Sequence, residues 1–111
     1  MADPLPISVV IIAKNEARNL PPCLASVQGW VAEIIVALND TTDASETVAK
    51  EFGATVRRLP WQGYRDTKNA ALALAHHEWV LSLDADEAVS AGLRRELEAF
   101  FARGDGARFA G

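Results

Sequence analysis

Apolar residues along this chain follow two alternating rhythms. Ile7–Ala13 (ISVVIIA) is β-branched and apolar on both faces, the pattern of a strand covered on both sides. It stops at Lys14-Asn15-Glu16. A helical segment follows, with Asn19 placed to cap it, Pro21 and Pro22 in the first turn, and Leu20, Leu24 and Val27 on one face. Gly29 closes it. Glu33–Leu38 (EIIVAL) predicts a second buried strand, ending at Asn39-Asp40. Asp43 then caps a helix with Glu46 completing a capping box, Ala44, Val48 and Phe52 forming the buried stripe, and Gly53 at the C′ position. Ala54–Leu59 reads as a third, weaker strand, and PWQGY as a turn or loop. Arg65–His77 is alanine-rich and helical, with Ala71, Leu74 and Ala75 on one side. Glu78–Leu83 is the fourth strand. Ser90 can cap a last helix in which Leu93, Leu97, Phe100 and Phe101 share a face. The tail RGDGARFAG carries a turn signal and then the first residues of another strand.

This alternation predicts an α/β fold, a mostly parallel open sheet with helices on its faces. The 111 residues suffice for a single domain with one core, spanning 1–111. Composition changes this picture little. Half the residues are hydrophobic and 23% are charged, as in ordinary globular chains. A net charge of −4, with no basic stripe or aromatic platform, argues against nucleic acid as a partner. Cys23 is the single cysteine, so an intrachain disulfide is excluded and a reducing compartment fits. The N-terminus MADPLP has no basic region or apolar signal core, and no apolar run could cross a bilayer. A cytoplasmic location is the expectation.

Polar residues gather where the strands end: Lys14, Asn15 and Glu16 after the first, Asn39 and Asp40 after the second, Asp84 and Asp86 after the fourth. In open parallel sheets, ligands bind beyond the carboxyl ends of the strands. The fourth strand ends in LSLDADE, three carboxylates within four positions. Residues i and i+2 of an extended segment project to one side, so Asp84 and Asp86 can converge on a point. Like charges there repel, and a divalent cation with oxygen ligands, Mg²⁺ or Mn²⁺, resolves the conflict. A phosphorylated ligand would complete its coordination. The competing reading has either aspartate merely capping the next helix.

GYRDTKN (Gly63 to Asn69) sets a Gly-led loop before a helix, with Arg65 and Lys68 on its first turn, an arrangement that serves anion binding or a solvated helix start. No Walker-type or G-x-G-x-x-G motif is present, which leaves phosphate-loop and dinucleotide readings unsupported. His76 and His77 are adjacent, face different ways on a helix and make a poor metal pair. Cys23 reads as a small buried apolar residue. Trp61 can stack on a base or sugar, although a structural lid over the core is the reading its surroundings favour. Trp30 and Trp79 read as packing residues.

Taken in order, ISVVIIAKNEARNLPPCLASV, EIIVALNDTTDASETVAKEFGA and GYRDTKNAALALAHHEWVLSLDADE resemble the family 2 inverting glycosyltransferases of the GT-A fold. More narrowly, WQGYRDTKNAALALAHHEWVLSLDADE is similar to the bacterial lipopolysaccharide-core β-glucosyltransferase branch. The resemblance spans Ile7 to Glu87. It implies the Rossmann-like, nucleotide-binding half of a GT-A fold and a nucleotide-sugar donor, with a UDP-sugar expected. Asp86 is then the expected ligand of a metal bridging the donor diphosphate, with Asp84 near the ribose or the metal's water shell. Ala13, Lys14, Asn15 and Glu16 take the place of the family's xYNE turn beside the nucleotide, and Lys68 that of a basic residue close to it.

The chain departs from the family pattern at Leu38, which stands where the family commonly has the Asp that bonds uracil. That contact falls to Asn39 or Asp40, or base recognition differs. The family also needs a further stretch for the acceptor and the catalytic base, which Glu87, Glu96 and Glu98 come too early to supply. The expectation is therefore an N-terminal fragment holding the donor half, inactive alone. Its parent would transfer a sugar, expected to be glucose, with inversion to a cell-envelope glycan or lipopolysaccharide-core acceptor. Homodimerisation and peripheral membrane association of the parent stay open. A signalling receiver would need an acidic pair after the first strand, and a phosphotransfer hydrolase would carry Asp-x-Asp there. Neither pattern is present. A non-catalytic nucleotide-binding or assembly module is the remaining alternative.

Overall fold

In the computed structural model, which describes residues 4–39 and 42–102, four strands form one sheet: β1 (Leu5–Ala13), β2 (Val31–Leu38), β3 (Thr55–Arg58) and β4 (Trp79–Asp84). Their order is β3-β2-β1-β4, and every pairing is parallel. The helices are α1 (Leu20–Ala25), α2 (Ser45–Glu51), α3 (Tyr64–Leu72) and α4 (Ala91–Ala102).

The two-faced apolarity of β1 has a direct structural cause, because β1 is a central strand buried on both sides. Ile7, Val9, Ile11 and Ala13 enter the larger core with Leu20, Cys23, Leu24 and Val27. Val10 points the other way, against Ala37 and Ala71, with Ile12, Leu59, Leu72 and Ala75 packed around them. So α1 and α2 cover one face and α3 the other. The chain steps outward from β1 to β2 to β3, then returns through α3 to the far side of β1. Between β1 and β4 lies the topological switch where such sheets open a crevice.

Several local signals act as the sequence implies. Ser90 Oγ accepts the Leu93 N–H at 3.1 Å and caps α4. Gly53, at φ +80°, ends α2 with its N–H on the Lys50 carbonyl and the Ala54 N–H on the Ala49 carbonyl, a Schellman pairing. Trp30 is buried and donates its indole N–H to the Ser26 carbonyl at 2.9 Å. Trp79 meets Phe100 and Phe101 edge-on, with centroids 5.5 and 5.7 Å away.

Others differ. The capping box over Asp43 and Glu46 does not form. Asp43 accepts the Ser45 N–H and hydroxyl and the Ala17 N–H, while Glu46 pairs with Lys50 and Arg58. The third helix stops at Leu72, short of His77, because the chain beyond it is drawn onto the sheet. His76 gives its backbone N–H to Glu33 at 3.0 Å and meets the same carboxylate through its ring Nδ1. The His77 N–H donates to Ser8 Oγ, and the Ser8 hydroxyl donates to Glu33 at 2.7 Å. The hydroxyl proton being committed to the carboxylate, the 3.0 Å contact between Ser8 Oγ and His77 Nδ1 requires the proton on Nδ1. The two histidines are thus clamps at the start of the sheet, away from the carboxyl ends of the strands. Leu93, expected on the buried stripe of α4, is 39% exposed, whereas Leu97 and Phe101 do pack on the core. The expected strand start within RGDGARFAG lies outside the described residues.

Candidate functional site

Beyond the carboxyl ends of β1, β2 and β4 opens a cleft of about 500 Å³. Its floor is Ile12 and Ala85, and its walls carry Lys14, Glu16, Asn39, Trp61, Tyr64, Asp84 and Asp86.

The acidic wall is a built turn. β4 delivers Leu83 into the core and ends at Asp84, in register with Ile12 of β1. Ala85 is buried beneath the turn, so Asp84 and Asp86 on either side of it face outward. The Glu87 N–H donates to the Asp84 carbonyl at 2.9 Å, and the Glu87 carboxylate accepts the Asp84 N–H at 2.7 Å. Of the three carboxylates, one therefore folds the turn. Among the described residues, the side chains of Asp84 and Asp86 have no hydrogen-bond or ion-pair partner. Cys23 lies directly behind, its thiol 3.8 Å from the Asp84 carbonyl. Burial, reinforced by the charges of Glu87 and Asp86, pushes that thiol up to about 11.

The turn after β1 forms the adjoining wall. Ala13 is buried, and its carbonyl accepts the Asn39 N–H at 3.0 Å. Asn15 adopts φ +51° and directs its side-chain oxygen to the backbone N–H groups of Thr42 (2.8 Å) and Asp43 (3.1 Å). It braces the loop after β2. Glu16 reaches the cleft, receives Asn19 Nδ2 at 2.8 Å, and is held by its N–H on Ser45 Oγ. Asn19 thus bonds back to Glu16 and makes no side-chain cap.

On the opposite side, Leu38 is buried in the larger core, so the residue at the cleft is Asn39. Its amide nitrogen donates to the Leu59 carbonyl at 3.0 Å and ties the end of β2 to the start of the next loop. Asp40 lies outside the described residues. Along that loop Trp61 and Tyr64 are 53% and 62% exposed, and both line the cleft. Trp61 is consequently no lid over the core. Lys68 is on α3 with its ammonium 5.5 Å from the Tyr64 ring centroid and 3.5 Å from the phenol oxygen, and it is not part of the lining.

Of the polar residues singled out from sequence, the fold brings Lys14, Glu16, Asn39, Asp84 and Asp86 to one cleft. It sets Ala13 and Asn15 into the supporting backbone, and Lys68 behind Tyr64. Trp61, for which the sequence favoured a lid over the core against stacking on a base or sugar, lines the cleft as well, and only Tyr64 was not anticipated, although it follows Gly63 in a stretch without apolar periodicity to absorb it.

The donor set suits a hard cation. No group of three or more His, Cys, Asp or Glu side chains among the described residues could enclose a metal by itself. Two outward carboxylates are what a Mg²⁺-like ion takes from a protein when phosphate oxygens and water supply the rest.

Comparison with known proteins identifies the family. Residues 8–107 match the profile of glycosyl transferase family 2. An uncharacterized glycosyltransferase of Rickettsia felis is 41% identical over 96 residues, covering 86% of this chain and 34% of that protein. The lipopolysaccharide core biosynthesis glycosyltransferase LpsC of Rhizobium meliloti is 32% identical over 110 residues, covering 95% of this chain and 40% of LpsC. Among solved structures, glucosyl-3-phosphoglycerate synthase from Mycobacterium tuberculosis, in complex with Mn²⁺, UDP and glucosyl-3-phosphoglycerate, superposes with a TM-score of 0.62 at 30% identity, over 71% of this chain and 33% of that one. Staphylococcus aureus TarS 1–349 in complex with UDP shares the fold, with a TM-score of 0.68 at 19% identity, over 87% of this chain and 32% of that one. The chain thus spans about a third of the length of the Rickettsia relative. With nearly its whole length inside the matched profile, and with the parallel sheet of its structural neighbours, the chain belongs to glycosyl transferase family 2.

Proposed function

We propose that this chain forms the donor-binding part of a glycosyltransferase that takes a sugar from a nucleoside diphosphate sugar. One observation carries the reading: Asp84 and Asp86 stand unpaired among the described residues on the wall of a 500 Å³ cleft, held there by Glu87. Unpaired carboxylates of like charge, fixed side by side by a folded turn, call for a cation to offset them. Asp86, with Asp84 beside it, would hold Mg²⁺ or Mn²⁺. Such an ion, when bound, offsets the negative charge that develops on a departing diphosphate.

The chain's own residues do the rest. The Glu87 bonds keep both carboxylates oriented, Ala85 anchors the turn in the core, and Lys14 adds a cation to the same cleft. Asn15 and Asn39 brace the loops on either side of it. A UDP-sugar is the favoured donor, supported by the UDP and Mn²⁺ bound to the mycobacterial synthase. The resemblance to LpsC favours a lipopolysaccharide-core or related envelope acceptor, with glucose as the expected sugar. Transfer with inversion would need a carboxylate base that the described residues do not bring to this cleft beyond Glu16, Asp84 and Asp86.

Calorimetric titration with UDP, UDP-glucose and GDP, with and without Mn²⁺, tests the reading. Nucleotide binding that depends on Mn²⁺ and is lost in Asp86→Asn is expected. Equal binding in EDTA, or by Asp86→Asn, would remove the metal–diphosphate assignment.

A further inference from the structure

The wall of the cleft opposite the carboxylates carries two aromatic side chains that no step above requires. Trp61 exposes 53% of its surface, yet the backbone on both sides of it is fastened. On one side the Leu59 N–H donates to the Leu38 carbonyl at 2.9 Å, and the Leu59 carbonyl accepts the Asn39 amide at 3.0 Å. On the other the Gln62 N–H donates to Thr67 Oγ1 at 2.8 Å, and Thr67 is buried on the inner face of α3. Gly63, at φ +89°, makes the bend that lets the loop enter the helix so soon. A large apolar ring left half in water by a fixed backbone forgoes much of the burial it could contribute to folding. Bound against a flat partner, it loses little conformational entropy.

We infer that Trp61 is the stacking platform for the nucleobase of the donor, and that Asn39 and Thr67 position it. The inference rests on the donor-site reading and adds the residue that holds the base. Strand order sets the direction. The loop of Trp61 leaves β3, whereas the carboxylates leave β4, three strand spacings or about 14 Å across the sheet. A diphosphate held at Asp84 and Asp86 leaves the nucleoside to reach toward β2 and β3. The chemistry of that end favours a base over a hexose. Sugar hydroxyls require several hydrogen-bonding groups, and the Asn39 amide nitrogen is already bonded to Leu59. Trp61 and Tyr64 give that end two aromatic faces, and every base has a π-face to match them. Stacking also offers a base contact that does not depend on an acidic side chain at Leu38.

The test uses Trp61→Ala and Trp61→Phe, titrated with UDP, UDP-glucose and inorganic pyrophosphate in Mn²⁺, with circular dichroism to verify folding. Trp61→Ala is expected to weaken UDP about tenfold or more while leaving pyrophosphate within about twofold, and Trp61→Phe to retain most of the UDP affinity. UDP should quench fluorescence in the parent chain and not in Trp61→Phe, whose remaining tryptophans are the buried Trp30 and the packed Trp79. Unchanged UDP affinity in Trp61→Ala overturns the platform. So does an equal loss of pyrophosphate, which would mark a structural role, or a loss confined to UDP-glucose, which would mark a hexose contact. If the parent chain binds neither pyrophosphate nor UDP with Mn²⁺, the donor-site reading itself falls and the platform with it.

Discussion

The Glu87 carboxylate accepts the Asp84 N–H at 2.7 Å while the Glu87 N–H donates to the Asp84 carbonyl at 2.9 Å. This reciprocal pair resembles a helix capping box, but it closes a turn at the end of a strand. Its effect is to assign the three neighbouring carboxylates to different tasks. Glu87→Ala should therefore weaken Mn²⁺-dependent nucleotide binding about tenfold, since a charge-assisted hydrogen bond is lost from the turn. Glu87→Gln, which keeps an oxygen acceptor, should recover most of it. Calorimetry on both variants decides, and wild-type affinity in Glu87→Ala would refute the bracing role.

Asn15 combines a left-handed backbone with two short bonds to the loop after β2. Asn15→Ala meets both costs, strain at positive φ and loss of the acceptor, and should destabilise by about 2 kcal/mol in urea unfolding. Asn15→Gly relieves the strain alone and should fall between Asn15→Ala and wild type. Equal stability of the two variants would mean that backbone strain is irrelevant here.

At the far end of the sheet, Glu33 is partly buried, which by itself would raise its pKa. The N–H of His76, the Ser8 hydroxyl and the His76 ring outweigh burial and hold the carboxyl below the usual glutamate range. A carboxylate with a lowered native pKa stabilises the fold fully above its ordinary value near 4.5, and that stability is lost as pH falls through the lowered value. Stability should accordingly decline below about pH 4.5 with a contribution from this cluster. Glu33→Gln should remove that contribution and cost about 1–3 kcal/mol at pH 7. An unchanged acid-unfolding profile in Glu33→Gln would argue against it.

Cys23 should resist thiol reagents in the folded state. With its thiol raised from 9.0 to about 11, almost no thiolate exists at pH 8, and the side chain is buried. Labelling by a disulfide reagent should be slow natively and rapid in urea. The sign for stability is opposite to that of Glu33. The protonated thiol favours the fold below pH 9, and on the order of 2 kcal/mol is lost as pH rises toward 11. Fast native labelling at pH 8 would contradict the buried, charge-flanked setting.

How far the sequence alone reached depended on the range of the interactions involved. Strand β1 was legible because a short, β-branched run apolar on both faces favours a covered strand over a helix. Ser90, Gly53 and the strand-end position of Asp84 and Asp86 were legible because capping and turn chemistry act within a few residues. What escaped depends on distant partners. The third helix is cut at Leu72 by Glu33 and Ser8, which lie 43 and 69 positions from the histidines they bind. Nothing within a helical period reports such a partner. Asn39 and Asn15 carried the right polarity at the right strand ends, but only the folded chain committed them to bracing loops. Trp61 shows the same limit in reverse. A lone tryptophan in a loop has no periodicity to say whether it packs inward or lines a cleft. That was decided by the return of the chain across the sheet, which pinned Leu59 and Gln62 on either side of it.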